Sequence, residues 1–242
     1  MGSEVASLAG WLSWDMGDHG SARTWYGTAI KAARSSGNRL LAAYQMGSLA
    51  QFEAHAGNTA QGLSLVRSAR RQLDDRQPAI CTAWLWAVEA LAYSAAGDRA
   101  AAEEALAAAA RDAQMVPHED PPPWPWVFTF DASKVAAMRM SCGAKLGAAS
   151  WVFGAQDDAA AALASGHEKQ RALLTLDLAT AHLSAGRLDG AFVLAARALA
   201  TGVRFKSGRI IESARALRRT CTSTTPPRVV RDFDDQLHGI YL

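Results

Sequence analysis

Gly17-Asp18, Gly37-Asn38 and Gly57-Asn58 repeat the same break every twenty residues, and Gly97-Asp98 falls forty residues further on. Glycine supplies the left-handed residue that stops a helix, and the Asp or Asn after it can cap the next one. The step near position 77 is filled by Asp74-Asp75-Arg76-Gln77-Pro78, another turn, and Gly166-His167 and Gly186-Arg187 are again twenty apart. Segments of about 15–17 residues lie between the breaks, roughly four turns of helix each. A helical hairpin of that size cannot bury its apolar face alone and must stack on its neighbours, which predicts a repeat array.

The residues between the breaks agree. Alanine accounts for 52 of the 242 residues and proline for only 8. Alanine is the best helix former, so an all-α chain is predicted. At this level it also predicts helices in close approach, because a methyl group is all that separates them. Superposition at a 40-residue period aligns Gly10, Ala50 and Ala90 in the first helix of each pair, and Ala29, Ala69 and Ala109 in the second. Leu12 then falls on Phe52, and Trp25 on Leu65.

Helices are predicted over 4–16, 20–36, 39–56, 59–74, 78–96 and 99–115, then over 130–146, 149–164, 167–185, 188–202, 207–220 and 227–239. Five of the eight prolines lie between Pro117 and Trp126, and no helix crosses them. The chain is read as one domain over 1–242: a repeat array over 4–115, a proline-rich joint over 116–127, a second array over 128–220 and a capping helix over 227–239. That last helix, with Val229, Val230, Phe233 and Leu237 at 3-4 spacing, either caps the array or mediates a homodimer.

Several function classes are excluded. Half of the residues are hydrophobic and the net charge is only +2, which argues for a packed core. No apolar run reaches membrane-spanning length and no basic-then-apolar leader opens the chain, so a cytoplasmic protein without a membrane partner is expected. Cys81, Cys142 and Cys221 are too scattered for a disulfide framework or a zinc knuckle. His118-Glu119-Asp120 lacks the i, i+4 geometry of a helical ligand pair, and no metal or cofactor is predicted. The chain has no Gly-x-Ser-x-Gly elbow, no Walker loop and no Gly-x-Gly-x-x-Gly, so it is read as a non-enzyme. The basic clusters Arg67-Arg70-Arg71, Arg204-Lys206-Arg209 and Arg215-Arg218-Arg219 are read as solvated faces, since acidic residues nearly cancel them.

The first hairpin, Ala9-Gly10-Trp11-Leu12-Ser13-Trp14-Asp15-Met16-Gly17-Asp18 followed by Ala22-Arg23, Trp25-Tyr26 and Ala29, resembles the opening of one particular group. That group is the tetratricopeptide-like C-terminal sensor region of actinobacterial transcriptional regulators with a Cro/C1-type helix-turn-helix. The resemblance continues through Ala54-His55-Ala56-Gly57-Asn58, Pro122-Pro123-Trp124, Phe128-Thr129-Phe130-Asp131, Leu176-Asp177-Leu178-Ala179 and Gly186-Arg187-Leu188-Asp189. It implies a right-handed superhelix of stacked antiparallel helix pairs. It also implies a ligand-sensing or interaction domain that binds a small molecule or short peptide in a concave groove and signals to an attached helix-turn-helix domain or another protein. The helix-turn-helix has no counterpart in these residues, so this chain by itself is not expected to bind nucleic acid. A protein-protein scaffold without a small ligand is the alternative.

In such arrays the first helix of each pair lines the groove. The groove candidates are therefore Trp14, Tyr44, Gln45, Ser48, Gln51, His55 and Trp84 in the first half. In the second half they are Asp131, Lys134, Met138, Arg139, Arg171, Thr175 and His182. Tyr44, Ser48, Gln51 and His55 follow a 4-3-4 spacing and share one helix face, which is either a binding stripe or simply a solvated one. Trp84 and Trp86, two apart on one helix, point in different directions, whereas Trp25 and Trp151 are read as core. Trp124 and Trp126 either form a lid over the groove or staple the two halves at a hinge.

Overall fold

The computed structural model describes residues 2–73, 78–116, 126–127, 130–164, 167–222 and 225–240, with the backbone alone at 162 and 163. Every described element is a helix. The first six are α1 (Gly2–Met16), α2 (His19–Ser35), α3 (Arg39–His55), α4 (Thr59–Arg71), α5 (Ala79–Ala95) and α6 (Arg99–Gln114). The next four are α7 (Ala132–Lys145), α8 (Ala149–Ala155), α9 (Ala160–Ala164) and α10 (Glu168–Ser184). The last three are α11 (Leu188–Arg204), α12 (Gly208–Arg219) and α13 (Arg228–His238). No described helix is long and apolar enough to cross a membrane.

Local chemistry explains the punctuation. Gly17, Gly37, Gly57 and Gly97 all adopt positive φ, between 70° and 88°. The side chains of Asp18, Asn38 and Asp98 then accept the backbone N–H of Ser21, Leu41 and Ala101. Asn58 departs from the pattern, since its amide donates to Glu53 Oε2 at 2.6 Å. Lys206 takes the left-handed role at φ 51° before α12, where no glycine marks the turn. The helix expected over 149–164 is divided into α8 and α9 by a turn at 156–159. Asp157 and Asp158 lie there, and aspartate favours local backbone bonding over a helix interior.

Small residues form the contacts between helices. Ala29, Ala50, Ala69, Ala90 and Ala109 are fully buried, and Gly10 lies under the Tyr26 ring. The large residues aligned with them behave differently. Phe52 is fully buried, but Leu12 is 46 % exposed and Trp25, expected in the core, is 44 % exposed. Leu12 lies with Val5, Leu8 and Met16 among the exposed apolar residues of α1, a helix that packs against α2 and α12.

Consecutive helices from α1 to α8 and from α9 to α12 pack in sequence order, α13 packs on α11, and α3, α5, α7, α10 and α12 also contact one another in succession. The core continues across the proline-rich segment: Leu91 and Leu106 share a cluster with Cys142 and Trp151. Residues 117–125 of the joint expected over 116–127 are outside the described residues. In α13, Val230 and Phe233 are buried, Phe233 packs edge-on to Phe192 of α11, and this apolar face is thereby covered within the chain.

The array closes on itself, because α12 returns to pack against α1. Asp15 accepts Ser207 Oγ at 2.8 Å and Lys169 Nζ at 2.6 Å. Gly208 lies directly on the Met16 carbonyl group, so that an added Cβ would stand 2.7 Å from the carbonyl carbon. Gly208→Ala is therefore expected to pry α12 from α1 and to lower stability by about 1–3 kcal/mol in chemical denaturation. An unchanged midpoint would refute this tight seam.

Candidate functional site

The inward faces of α1, α3 and α5 and the start of α12 enclose a cleft of about 480 Å³. From α1 come Glu4, Ser7, Leu8, Trp11 and Trp14, and from α3 come Tyr44, Ser48 and Gln51. Trp84 of α5, Tyr26 of α2, Trp126 with Val127, and Arg209 of α12 complete the lining. The 4-3 spacing of Tyr44, Ser48 and Gln51 turns all three to one side of α3. Gly47 lets α5 approach closely, since a Cβ there would collide with the Trp84 ring.

One end of the cleft is aromatic. Tyr44 lies between Trp84 (ring centroids 5.6 Å apart, planes at 32°) and Trp126 (5.9 Å, 24°). Trp126 Nε1 donates to Glu4 Oε1 at 3.0 Å, which joins the described remnant of the proline-rich segment to α1. That bond holds the Glu4 carboxyl below its ordinary pKa. Trp14 packs edge-on to Phe52 at 5.6 Å, and burial pushes the Tyr26 hydroxyl well above its ordinary pKa.

The other end is polar and ringed by protein. The Arg209 guanidinium stacks on Trp14, 3.7 Å from the ring centroid. Its Nη2 lies 3.4 Å from His55 Nε2, while His55 Nδ1 lies 2.8 Å from the Gln51 carbonyl oxygen. The network assigns the proton to Nδ1, which donates to Gln51, and leaves Nε2 to accept from Arg209. Burial, reinforced by Arg209 and Lys145, holds the His55 pKa well below its usual value and keeps the ring neutral. Burial also pulls Arg209 down to about 10 and lowers Lys145. Asp177 is pushed up to about 6 by burial, against the opposing bond from Ser141 Oγ at 2.6 Å.

The other sequence-predicted groove residues are dispersed. Gln45 is fully buried, and neither end of its amide has a hydrogen-bond partner. Asp131 caps α7 by accepting the Lys134 N–H, and Met138 packs half-buried against the core. Arg139 pairs with Glu103 at 2.9 Å and lies over Trp151, which is buried as expected. Arg171 is exposed and its carbonyl accepts from Thr175 Oγ1, while His182 packs against Phe153. None of these lines the cleft, and Trp124 is outside the described residues.

The basic clusters are more than solvated faces. Arg67 and Arg70 converge on Glu89, a carboxylate only 3 % exposed, and Arg70 also stacks on Trp86. Arg218 pairs with Asp234 and so fastens α13 to α12. Arg209 turns inward and Arg204 turns out to Glu168. Reading Arg209 as part of a charge cluster concealed it; its place in a first helix of a pair was the available signal. Trp11, on the first helix of its pair, carried the same signal, whereas Tyr26 did not, because it belongs to an outer helix and reaches the cleft through the space at Gly10. No group of three or more His, Cys, Asp or Glu suited to a metal ion occurs among the described residues.

Asp177 yields a pH prediction. Its carboxyl binds a proton more tightly in the folded protein, at about 6, than in the unfolded chain near 3.8. Folding takes up a proton between those values, so the contribution of Asp177 to stability is lost as pH rises through about 4 to 6. Asp177→Asn is expected to be more stable than the parent at pH 7.5 by about 1 kcal/mol, with the gain vanishing near pH 4. Thermal unfolding across this range checks it, and a pH-independent difference would contradict the low-dielectric setting.

The chain matches no protein-family model and no curated protein.

Proposed function

We propose that this chain is a ligand-sensing domain of tetratricopeptide-like architecture. Its ligand is a small, largely planar molecule bound in the cleft between α1, α3, α5 and α12. The observation that carries this reading is convergence: Trp14, Tyr44, Trp84 and Trp126 meet around one cavity of about 480 Å³, with Arg209 from the far end of the chain. That volume is in the range of small-molecule sites, and such sites combine apolar walls with a few fixed polar groups. Ser48 and Gln51 are such groups on the α3 wall.

The position of the cleft supports a sensing role. It is bounded by α1 and α12, whose contact closes the array. A ligand touching both favours one curvature of the stacked helices over another, by the difference in its affinity for the two. An attached domain, such as the helix-turn-helix of the regulators this sequence resembles, would read that curvature. The role is binding, without catalysis.

A scaffold for another protein is the second reading. It is favoured by Val5, Leu8, Leu12 and Met16, which leave one apolar strip of α1 exposed by 46–71 %.

The test uses N-phenyl-1-naphthylamine, a neutral aromatic probe whose emission rises in apolar surroundings. It is expected to bind the folded protein at one site, and Trp84→Ala is expected to weaken it by about tenfold, the scale of one lost aromatic contact. Trp25→Ala, on the outer surface, leaves binding intact. Equal titrations for all three proteins would overturn the cleft assignment.

A further inference from the structure

Five described arginines are half-buried: Arg70, Arg139, Arg209, Arg215 and Arg218. Four of them meet a carboxylate at short range. Arg70 reaches Glu89 at 2.7 Å, Arg139 reaches Glu103 at 2.9 Å, Arg215 reaches Glu212 at 2.6 Å and Arg218 reaches Asp234 at 2.6 Å. Arg209 alone among them forms no ion pair with a described carboxylate. The acids nearest in its field are occupied: Asp15 by Lys169 and Ser207, and Asp177 by Ser141. Among the described residues its hydrogen-bond contact is one long bond to the neutral His55 ring, which uses one of its five N–H donors.

A cation kept in a protein-lined interior without a counter-charge is costly unless something supplies one. Asp15 and Asp177 offset that charge only from beyond ion-pair distance, and Lys145 adds a second positive charge to the same field. The Trp14 ring against it restricts how the guanidinium can turn, and Arg209 lines the cleft. A planar carboxylate, sulfonate or phosphate is the group such a guanidinium binds. The remaining walls, formed by Tyr44, Trp84 and Trp126, suit an aromatic body.

We infer that the ligand of this cleft is an aromatic anion, its acidic group held by Arg209 against Trp14 and its rings lodged among Tyr44, Trp84 and Trp126. This rests on the ligand-sensing reading above and adds to it the chemical class of the ligand. Arg209 is the residue that decides specificity, and a neutral molecule of the same shape leaves its charge uncompensated.

The experiment compares two probes with the same ring system. One is 8-anilinonaphthalene-1-sulfonate, and the other is N-phenyl-1-naphthylamine, which lacks the sulfonate. The protein is expected to prefer the sulfonate by about tenfold or more, the scale of one charge-assisted hydrogen-bond pair. In Arg209→Gln the affinity ratio is expected to collapse towards one. On the unaltered protein, phenylglyoxal modification of Arg209, read by peptide mass spectrometry, should be slowed by the sulfonate and not by the neutral probe. That measurement decides the matter if Arg209→Gln does not fold. Equal affinity for the two probes, a preference that survives in folded Arg209→Gln, or equal protection by both probes would overturn the anion assignment. The cleft reading stands in those cases if Trp84→Ala still weakens the neutral probe. Absence of any Trp84-dependent binding would remove both.

Discussion

Asp15 receives Ser207 Oγ and Lys169 Nζ on its two carboxylate oxygens, and the cleft depends on these contacts. They bind α1 to α10 and α12, elements more than 150 residues later in the chain. Without this closure, Arg209 would sit at the open end of a helical stack instead of against Trp14. A buried ion pair contributes little net stability, because desolvation offsets the Coulomb gain. Its value here is positional. Removing Lys169 leaves the nearly buried Asp15 carboxylate without its counter-charge, so the seam has one favoured geometry. Gly208 enforces the same geometry sterically, since only a residue without a Cβ permits α12 to rest on the Met16 carbonyl.

A related device recurs between successive hairpins. Glu53 and Glu89 lie on inner helices and are nearly inaccessible to solvent. Each is met by arginine from an outer helix of an earlier hairpin: Glu53 by Arg23, and Glu89 by Arg67 and Arg70. Alanine-lined interfaces are smooth and tolerate sliding, whereas a buried carboxylate that must find its guanidinium does not. The arginines also cover aromatic faces, Arg23 over Phe52 and Arg70 over Trp86, so their stems add packing to charge. These pairs set the register of the stack, and the alanine contacts provide most of its closeness.

The interior then divides into two electrostatic environments. Around Tyr44 the surroundings are aromatic, and Glu4 is fixed by the Trp126 indole. Around Arg209 the field is positive and adds to burial in keeping His55 neutral despite its place in a polar network. Asp177, the nearby acid least favoured in its ionised form, offsets that field only in part. A cavity with an aromatic wall at one end and an excess cation at the other discriminates by charge as well as by shape.

Much of this was legible in sequence. The glycine turns at 17, 37, 57 and 97, and the caps Asp18, Asn38 and Asp98, are local, so twenty-residue punctuation was enough to find the helices. Buried alanines follow from the repeat, and the shared face of Tyr44, Ser48 and Gln51 follows from helical spacing alone. Trp25, expected in the core, is exposed, and Leu12 does not share the burial of the Phe52 it aligns with, because periodicity reports the pattern of a repeat and not what covers it. The turn at 156–159 interrupts a helix where alanine content predicted continuity. The sequence by itself determined the all-α class, the glycine-marked turns and the shared face of Tyr44, Ser48 and Gln51, since each depends on residues within one or two turns. Only the tertiary structure decided that α12 returns to α1 and brings Arg209 to Trp14. That contact depends on small rotations accumulated over every intervening hairpin, and no local signal encodes their sum.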